Sequence, residues 1–540
     1  QGYAGPFINV VSTIRHKNRM TFFRMATATC FLLILTVAQC AKHQHWESVS
    51  PGDSLMLLQT GTAARPARGL SARPRPSIVF VLADDLGYGS IGYNNPEKST
   101  PVMDALSASG VRLDALYAHS ICSPTRASLL TGRHSYKVLD RNYLEDQAWG
   151  IDVGYTMLPA ALKAVGYRTH MVGKWHQGFY KADHLPTRRG FETFFGFLSG
   201  SADHFNQKID EPICPWGRPV SLLDGESPAK AFNGTVYSDV AFTDRAVELI
   251  GSHNFSSGPL FLFVALSNPH APFEAPPWAQ ATTRQMAYDA MVRAVDDSVG
   301  RISTALTRAN AMDNTLFIFS SDNGASMGSS GSNSPFRGAK YSNWEGGIRV
   351  PAFIAGGVLP EGARGRTLKG MISMADWYAT LAGIAGAKVD YGGPAPSDSI
   401  NQWPYITGVY PWSLRSEIVH EHRLSSNNSR VGALRVGNWK LLVGTQYAAR
   451  LYGDSLVDAD PRKPAEFSAC GNSPCLFDVE ADPTESTDLA LAHPQVLQEL
   501  LHRFEEIGKD YHVPLLTENW EYQGACDAWE KAGGFVVPWQ

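Results

Sequence analysis

The chain has 540 residues, of which 44% are hydrophobic and 18% are charged, and its formal net charge is −4. This composition is that of a soluble globular protein, and the length allows one large domain and a smaller one. Nucleic acid is excluded as an expected partner, because its binding needs a basic surface that this charge balance does not provide. An anionic ligand must therefore be met by local positive charge.

Residues 1–45 are predicted to be upstream residues followed by a secretory signal peptide. Met20 or Met25 is the expected start, and Arg24 supplies a positive charge ahead of the apolar stretch from Ala26 to Ala38. That stretch is shorter than the ~20 residues of a membrane-spanning helix, which favours a cleaved signal over a signal anchor. We therefore expect entry into the secretory pathway and no stable membrane span.

The first predicted strand ends in a pair of acidic residues. Residues 46–76 before it have no sustained period and are rich in Ser, Gly, Ala, Arg and Pro, which predicts a disordered linker or a pro-segment. The apolar run from Ser77 to Leu82 then favours a central parallel strand, followed by Asp84 and Asp85. Ligands bind at that edge of open α/β sheets, where adjacent like charges need a cation or hydrogen bonds. An Asp-rich turn that caps the next helix is an equally good interpretation.

The stretch from Cys122 to Arg133 has the pattern of a helix start that carries a nucleophile. Ser123 suits the N-cap and Pro124 the first helical position, which would place Cys122 just ahead of a helix N-terminus. The helix dipole and Arg126 are then expected to attract anions and to acidify the thiol. The alternative is a buried structural Cys before an ordinary amphipathic helix.

Three later predicted strands also end in polar residues. The first ends before residue 174, the second covers residues 259–266 and the third covers residues 315–319. The polar residues that follow them are Lys174 and His176, then His270, then Asp322 and Asn323. Taken singly, each has an ordinary structural explanation: a solvated Lys, a core or loop His, or an Asp-Asn-Gly turn. Their common position at strand ends favours one shared site.

Helices are predicted between these strands, and a small sheet is predicted after them. The expected helices lie near residues 100–108, 156–165, 243–251, 286–308 and 374–384. A Pro- and Gly-rich run at residues 392–396 marks a domain boundary near residue 410. Beyond it, short strands at residues 417–420, 433–442 and 476–479, with one amphipathic helix at 496–507, suggest a small antiparallel sheet.

Four separated blocks of the chain resemble, in order and content, motifs of the sulfatase family. The run at Cys122 matches Cys-x-Pro-x-Arg followed by Leu-Thr-Gly-Arg, and residues 166–176 match Gly-Tyr-x-Thr followed by Gly-Lys-Trp-His. Residues 270–272 resemble a His-x-Pro loop, and Lys340 precedes a Trp-Glu-Gly-Gly-x-Arg block at residues 344–349. The chain is thus similar to the formylglycine-dependent, type I sulfatases, and it most resembles the arylsulfatase B-like members.

This resemblance implies an alkaline-phosphatase-like α/β fold, with a mixed sheet between layers of helices. Residues 77–410 would form the catalytic domain, and residues 411–540 a smaller α+β domain with an antiparallel sheet. Two departures from the family pattern leave the subfamily open, although neither touches the implied chemistry. They are Gln177, where Leu is more usual, and Ser397-Asp398-Ser399, where an Asp-Gly turn is typical.

The resemblance also implies that Cys122 is oxidised to formylglycine during secretory synthesis, with the formylglycine-generating enzyme as a maturation partner. One hydroxyl of the hydrated aldehyde would attack the sulfur of a sulfate ester and expel the alcohol. The other would collapse to the aldehyde and eject sulfate. The implied roles of the other residues are as follows: Arg126 and His176 hold the diol, Asp322 acts as its base, Lys174 and Lys340 neutralise sulfate, and His270 protonates the leaving group.

A divalent cation is expected at the strand ends. Asp84, Asp85, Asp322 and Asn323 offer only carboxylate and amide oxygens, which select Ca²⁺ or Mg²⁺ over zinc. The family usually holds calcium, and the hydrated aldehyde at Cys122 would be a further ligand. The ion would bind a sulfate oxygen as a Lewis acid and template.

The expected function is hydrolysis of a sulfate monoester, an aryl sulfate or a sulfated sugar such as the N-acetylgalactosamine 4-sulfate type. The alternatives are a phosphonate or phosphodiester hydrolase of the same superfamily and a non-catalytic binder of sulfated glycans. A lysosomal or extracellular location is expected. Four Cys and three glycosylation sequons agree with secretion, but the sequence leaves the disulfide connectivity open. These residues are Cys214, Cys470, Cys475 and Cys526, and the sequons begin at Asn233, Asn254 and Asn427.

Overall fold

The computed structural model describes residues 74–540, except 144, 211, 233–235, 390–392, 396, 425–429, 447–469, 471–472 and 512–521. The predicted signal peptide, nearly all of the predicted linker and the sequons at 233 and 427 lie outside the described residues. The chain from Arg73 to Gln540 forms one compact unit. The domain boundary near residue 410 stays a prediction.

The described residues contain the following strands and helices. The strands are β1 (Ser77–Ala83), β2 (Val111–Leu113), β3 (Leu116–Tyr117), β4 (Arg168–Gly173), β5 (Thr193–Gly196), β6 (Leu223–Asp224), β7 (Ser227–Pro228), β8 (Leu260–Ala265), β9 (Thr315–Ser321), β10 (Ala352–Ala355), β11 (Arg366–Leu368), β12 (Ile372–Ser373), β13 (Glu417–Leu424), β14 (Arg430–Val436), β15 (Trp439–Val443) and β16 (Cys475–Asp478). The helices are α1 (Pro101–Ser109), α2 (Cys122–Thr131), α3 (Leu158–Lys163), α4 (Ser238–Ser252), α5 (Arg284–Arg308), α6 (Glu345–Ile348), α7 (Asp376–Ala385), α8 (Trp403–Ile406), α9 (Pro494–Ile507) and α10 (Tyr522–Lys531).

The large sheet is mixed and has the strand order β11-β2-β10-β9-β1-β8-β4-β5-β6-β7. Its centre is parallel: β1 pairs with both β8 and β9, so that Val81 lies opposite Val264 and Phe319. β4 continues the parallel set beside β8, whereas β10 runs antiparallel to β9. The carboxyl ends of β9, β1, β8 and β4 therefore lie side by side along one edge.

Helices cover both faces of this sheet, because its central strands are apolar on both faces. In β1, Phe80 belongs to one core cluster, together with Trp377 of α7. The neighbouring Val81 belongs to the other cluster, together with Val295 of α5. This alternation follows from the two-residue period of a strand. The structure confirms the predicted α/β class.

The small sheet is antiparallel, with the strand order β13-β14-β15-β16. One face packs on α9 through Leu434, Leu441 and Phe504. The other face packs on Trp344, just before α6, through Leu442. The predicted sheet and helix after residue 411 are thereby confirmed.

Two of the predicted elements need correction. The single strand predicted at residues 433–442 is a hairpin, in which β14 and β15 are joined at Gly437 and Asn438, and Gly437 has a φ of +58°. The helix predicted at 156–165 is the shorter α3, whose capping amide at Ala164 bonds to carbonyls within the helix. The long helices and apolar strands occur where they were predicted, with ends that shift by a few residues.

Two disulfides join the four paired cysteines. Cys214 is bonded to Cys526 and thereby ties the segment after β5 to α10. Cys470 is bonded to Cys475 at the start of β16. In the portion of the chain that the structure describes, we find no helix with the length and apolar character needed to cross a membrane.

Candidate functional site

Four neighbouring strand ends and one helix start bring the predicted residues together. Asp84 and Asp85 follow β1, Asp322 and Asn323 follow β9, and Lys174 follows β4. Backbone bonds hold these ends: the Asp322 amide donates to Ala83 O at 3.1 Å, and the Lys174 amide donates to Ala265 O at 2.9 Å. The side chains therefore meet because adjacent parallel strands end at one edge.

Cys122 is the first residue of α2, and Ile121 is the N-cap. The prediction of Ser123 as N-cap is wrong, because the Ser123 amide is already inside the first turn and donates to Asn142 Oδ1 at 3.1 Å. The helix nevertheless points its N-terminus into the site, so that the thiol lies among the strand ends. It donates to Asp84 Oδ1 at 3.4 Å.

The Cys122 thiol is almost fully buried, with 1% of the residue exposed. Burial raises the pKa of this thiol well above its ordinary value, although Lys174 and Lys340 oppose the shift. The predicted acidification is therefore wrong: at this depth the cost of desolvating a thiolate exceeds the benefit of the helix dipole and the nearby cations. The protein holds Cys122 as a neutral thiol.

Asp84 is held ionised by surrounding cations. Its Oδ2 lies 2.5 Å from Lys174 Nζ and 3.7 Å from Arg126 Nη2. Burial alone would favour the protonated acid, but Lys174 and Arg126 hold the pKa of Asp84 well below its usual range. A buried carboxylate of this kind is a hard, anionic oxygen ligand.

Arg126 fixes Asp322 with two hydrogen bonds. Its Nη2 and Nε donate to Asp322 Oδ2 at 2.8 and 3.1 Å, and Asp322 Oδ1 accepts from the Asp85 amide at 3.1 Å. Burial and the charge of Asp84 nevertheless raise the pKa of Asp322 to about 6, against the effect of Arg126 and Lys174. The strand ends thus hold two carboxylates of different basicity.

A second group forms around Asp85. Lys340 Nζ lies 2.9 Å from Asp85 Oδ1 and 3.1 Å from His270 Nε2, and Asn323 Nδ2 donates to Asp85 Oδ1 at 2.6 Å. Asp85 adopts a left-handed backbone conformation, with a φ of +62°, which is uncommon for a residue other than glycine. The second predicted lysine is therefore inside the site.

Both predicted histidines lie at the site and are held neutral. Burial, with Lys174 and Arg126, lowers the pKa of His176 well below its ordinary value, and burial with Lys340 lowers that of His270. Among described residues, no hydrogen-bond partner occurs for His176 Nδ1, which is buried.

The donor set fits a hard divalent cation. Ligand atoms of Asp84, Asp85, Cys122 and His270 all lie within 4.8 Å of one another, so two of the predicted carboxylate ligands lie together beside Cys122. Asp322 lies outside this group of four described residues, but it contacts the Asp85 amide. Asn323 Oδ1 is buried and lacks a hydrogen-bond partner in the described chain, so its lone pairs remain available to an ion.

The charges of the site are balanced by side chains alone. Three buried carboxylates face three buried cationic groups, and each carboxylate is paired with at least one of them. They are Asp84, Asp85 and Asp322, and Arg126, Lys174 and Lys340. A divalent cation added to this set leaves a net positive charge, which suits an anionic substrate.

Three residues at the site were not assigned from the sequence. Asn142 bonds to the start of α2, and its loop carries no motif that would predict this contact. Gln177 was noticed only as a departure from the family pattern; its Nε2 donates to Ser123 O at 3.2 Å. Tyr341 follows Lys340, and its amide donates to Ser120 O at 2.8 Å. Only its position next to a candidate site lysine could have drawn attention to it.

Comparison with known proteins gives consistent matches. The family model described as Sulfatase matches residues 76–387. Arylsulfatase J of Mus musculus is 33% identical over 474 residues, which cover 82% of this chain and 78% of the relative. N-acetylgalactosamine-6-sulfatase of Rattus norvegicus is 31% identical over 387 residues, covering 68% of this chain and 71% of the relative. The solved structure of Ps i-CgsB with k-i-k-neocarrahexaose has a TM-score of 0.68 at 26% identity, covering 85% of this chain and 98% of that one. The likeness confirms the predicted alkaline-phosphatase-like architecture.

Proposed function

This chain belongs to the sulfatase family and is a sulfatase enzyme, and we propose that it hydrolyses sulfate monoesters of aryl alcohols or sugars through formylglycine at Cys122. The observation that carries the proposal is the contact between Cys122 and Asp84, inside a buried cluster of three carboxylates and three cations. A sulfuryl group placed there would meet both a nucleophile and compensating positive charge.

Cys122 is suited to oxidative conversion. It is the free cysteine among the described residues, since the other four are paired in disulfides. Its pKa is raised by burial, so the unmodified thiol would be a poor nucleophile in this position. When present, formylglycine supplies a hydrated aldehyde whose oxygen can attack sulfur and whose carbonyl can re-form as sulfate departs.

Asp84, Asp85, Asp322 and Asn323 would hold calcium. The donor set contains hard oxygen atoms, and buried Asn323 Oδ1 is without a hydrogen-bond partner in the described part of the chain. When bound, the ion supplies Lewis-acid polarisation of a sulfate oxygen. Calorimetric titration of CaCl₂ tests this assignment: Asn323→Ala should bind calcium more weakly than the wild type, and equal affinities would remove Asn323 from the ligand set.

The cationic side chains bind and orient the sulfate group. Lys174 approaches from the end of β4 and contacts Asp84, and Lys340 approaches from the loop before α6 and contacts Asp85, so the two ammonium groups lie on the adjacent carboxylates. Arg126 keeps Asp322 oriented through its two hydrogen bonds. Transfer of such a group depends mainly on positioning and on charge neutralisation, which these fixed cations provide without reorganisation.

Protonation of the leaving alcohol is assigned to His270 together with Lys340. His270 Nδ1 is 2.6 Å from Ala271 O and therefore donates to it, which leaves Nε2 as the acceptor of a Lys340 proton at 3.1 Å. The pKa of Lys340 is raised well above its ordinary value: burial opposes the rise, but Asp85 outweighs it. The proton therefore rests on Lys340, in its hydrogen bond to His270 Nε2. The developing alkoxide, which is more basic than either side chain, takes this proton from the Lys340–His270 pair and leaves the lysine as a neutral amine.

Maturation in the secretory pathway, followed by a lysosomal or extracellular location, is part of the proposal. The two disulfides support it, because such bonds persist in oxidising compartments. Conversion of Cys122 there would require the formylglycine-generating enzyme. A sugar substrate of the N-acetylgalactosamine type is supported by the name of one relative.

The decisive experiment combines mass spectrometry with one variant. The peptide that contains Cys122 should carry an aldehyde in protein from eukaryotic secretory expression, and Cys122→Ala should lose hydrolysis of 4-nitrophenyl sulfate while its melting temperature stays near that of the wild type. Asn254→Ala, at a distant sequon, is the matched control and should keep full turnover. Turnover retained by Cys122→Ala would refute the proposal.

Matched esters separate the alternatives. The wild type should hydrolyse 4-nitrophenyl sulfate faster than 4-nitrophenyl phosphate or phenyl phosphonate. Faster hydrolysis of either phosphorus compound than of the sulfate ester would favour the phosphonate or phosphodiester hydrolase. An unmodified Cys122 with sulfated-glycan binding but no turnover would favour the non-catalytic binder.

A further inference from the structure

Tyr341 places an exposed aromatic ring beside the buried charges of the site. The residue is 56% exposed, whereas Lys340 before it is 4% exposed. Lys340 Nζ, which contacts Asp85, lies 5.4 Å from the centroid of the Tyr341 ring. The chain thus passes from a buried residue of the site to an exposed residue at its edge within one step of the sequence.

The backbone fixes this ring relative to Cys122. The Tyr341 amide donates to Ser120 O at 2.8 Å, two residues before Cys122, and the Lys340 amide donates to Ala325 O at 3.1 Å. Bonds to two different segments therefore hold the short stretch that carries the ring. The backbone of Tyr341 is therefore held at a fixed position relative to both Cys122 and Lys340.

Tyr341 also has a backbone conformation that glycine would adopt more easily. Its φ is +71°, in the left-handed region that is unfavourable for a bulky side chain. Strained backbone of this kind is common at binding and catalytic sites. Here the aromatic side chain is exposed directly beside the buried charges, so the ring is available for contact with a ligand.

We propose that the Tyr341 ring is a specificity surface on which the ring of the substrate's alcohol part packs, an inference that rests on the proposed function. The sulfate group occupies the buried charges at Cys122 and Lys340, so the alcohol part must extend towards the rim. The first ring beyond the ester oxygen then lies next to Lys340, where the exposed face of Tyr341 stands. Phenols and pyranose sugars esterified directly on the ring make this contact, and sulfate itself does not.

A purely shielding role for Tyr341 makes a different prediction. A ring that only covers Lys340 would change the strength with which the Lys340 ammonium binds anions. Loss of the ring would then weaken the binding of all anions alike, inorganic sulfate included. A ring that contacts the alcohol part affects only ligands that have such a part. Comparison of an ester with inorganic sulfate therefore separates the two roles.

The test uses full-length protein with 4-nitrophenyl sulfate as substrate and inorganic sulfate as competitive inhibitor. Tyr341→Ala and Tyr341→Gly should raise KM about three- to tenfold, the range expected for loss of one aromatic contact, with a much smaller change in kcat. The Ki of inorganic sulfate should stay within about twofold of the wild type, because the buried cations are unchanged. Tyr341→Phe and Tyr341→Trp should restore KM.

Tyr410→Ala is the matched control, since Tyr410 is also exposed, at 43%, but lies after α8. It should change neither constant. An unchanged KM in Tyr341→Gly, or a parallel rise in KM and sulfate Ki, would overturn the inference. Absence of turnover in the wild type would instead refute the proposed function. The same series would then be compared by calorimetry with phenyl sulfate and inorganic sulfate, with the same pattern expected for Kd.

Discussion

Two clusters of buried charge differ in what surrounds them. The site cluster consists of Asp84, Asp85, Asp322, Arg126, Lys174 and Lys340. The Lys440 cluster consists of Lys440 from β15, Glu345 from α6, Glu485 after β16, and Tyr117. Both contain lysines that are at most 4% exposed and paired with carboxylates, yet they serve different purposes.

The Lys440 cluster joins the small sheet to the main fold. Lys440 Nζ lies 2.9 Å from Glu345 Oε1 and 2.8 Å from Glu485 Oε1. The Tyr117 hydroxyl donates to Glu345 Oε2 at 2.7 Å, and the Glu345 amide donates to Glu485 Oε2 at 2.7 Å. The carboxylates of Glu345 and Glu485 are thus bound by protein groups that come from several strands and helices, as a structural network requires.

Both clusters border buried polar atoms that have no hydrogen-bond partner in the described residues. They are His176 Nδ1 and Asn323 Oδ1 at the site cluster, and Glu485 Oε1 at the Lys440 cluster. The site cluster differs in that Lys340 lies beside an exposed aromatic residue, Tyr341. A buried lysine with perturbed neighbours therefore does not identify a functional site, because Lys440 has both features. The exposed aromatic residue next to Lys340 distinguishes the two.

The largest expected effect is on stability, from Lys440→Met. Removal of this ammonium leaves Glu345 and Glu485 buried together without their shared cation, so we expect the free energy of unfolding to fall by about 4 kcal/mol. Urea denaturation at neutral pH measures it. Lys509→Met is the control, since Lys509 is 68% exposed in its pair with Glu506 and should matter little. A Lys440→Met protein as stable as the control would contradict the structural role.

The complementary change, Lys174→Met, should mainly affect activity. Loss of one fixed cation at the reacting group is expected to lower kcat/KM for 4-nitrophenyl sulfate about 10²- to 10³-fold. Its effect on stability should be smaller than that of Lys440→Met, because Arg126 still lies 3.7 Å from Asp84. Lys163→Met, on the exposed side of α3, should keep full activity. If Lys174→Met were destabilised as much as Lys440→Met yet fully active, the distinction between the clusters would fail.

The sequence predicts the main strands well, because their hydrophobic pattern is local. Ser77–Ala83 and Thr315–Ser321 each contain a run of at least four apolar residues, and each strand is followed directly by an acidic residue. The hairpin at Gly437 was missed because apolar residues continue on both sides of a two-residue turn. The antiparallel direction of β10 depends on pairing with β9, which no local pattern specifies.

The candidate site was predicted through motifs, but its electrostatics were not. Motif spacing places Cys122 near a helix start, yet the burial that raises its pKa depends on the packing of the whole domain. Asn142 and Tyr341 reach the site through loops whose paths are tertiary. The Lys440 cluster was missed for the same reason, since Lys440 and Glu345 are far apart in the chain.

The smallest of the three effects concerns pH and Glu485. Burial and the charge of Glu345 raise the pKa of Glu485 from 4.5 to about 7, although Lys440 opposes the shift. The folded protein therefore keeps a proton that the unfolded chain releases between these values. Stability from this group is complete below pH 4.5 and is lost as the pH rises through 7, by up to about 3 kcal/mol.

Glu485→Gln isolates that contribution, because other groups titrate equally in both proteins. The difference in unfolding free energy, variant minus wild type, should rise from pH 5 to pH 8, since only the wild type must ionise a buried acid. Glu499→Gln, at an exposed position on α9, should give a flat difference. A flat difference for Glu485→Gln as well would mean that Lys440 balances both Glu345 and Glu485 in their ionised form. The Lys440 cluster would then resemble the site cluster in the ionisation of its carboxylates as well as in their burial.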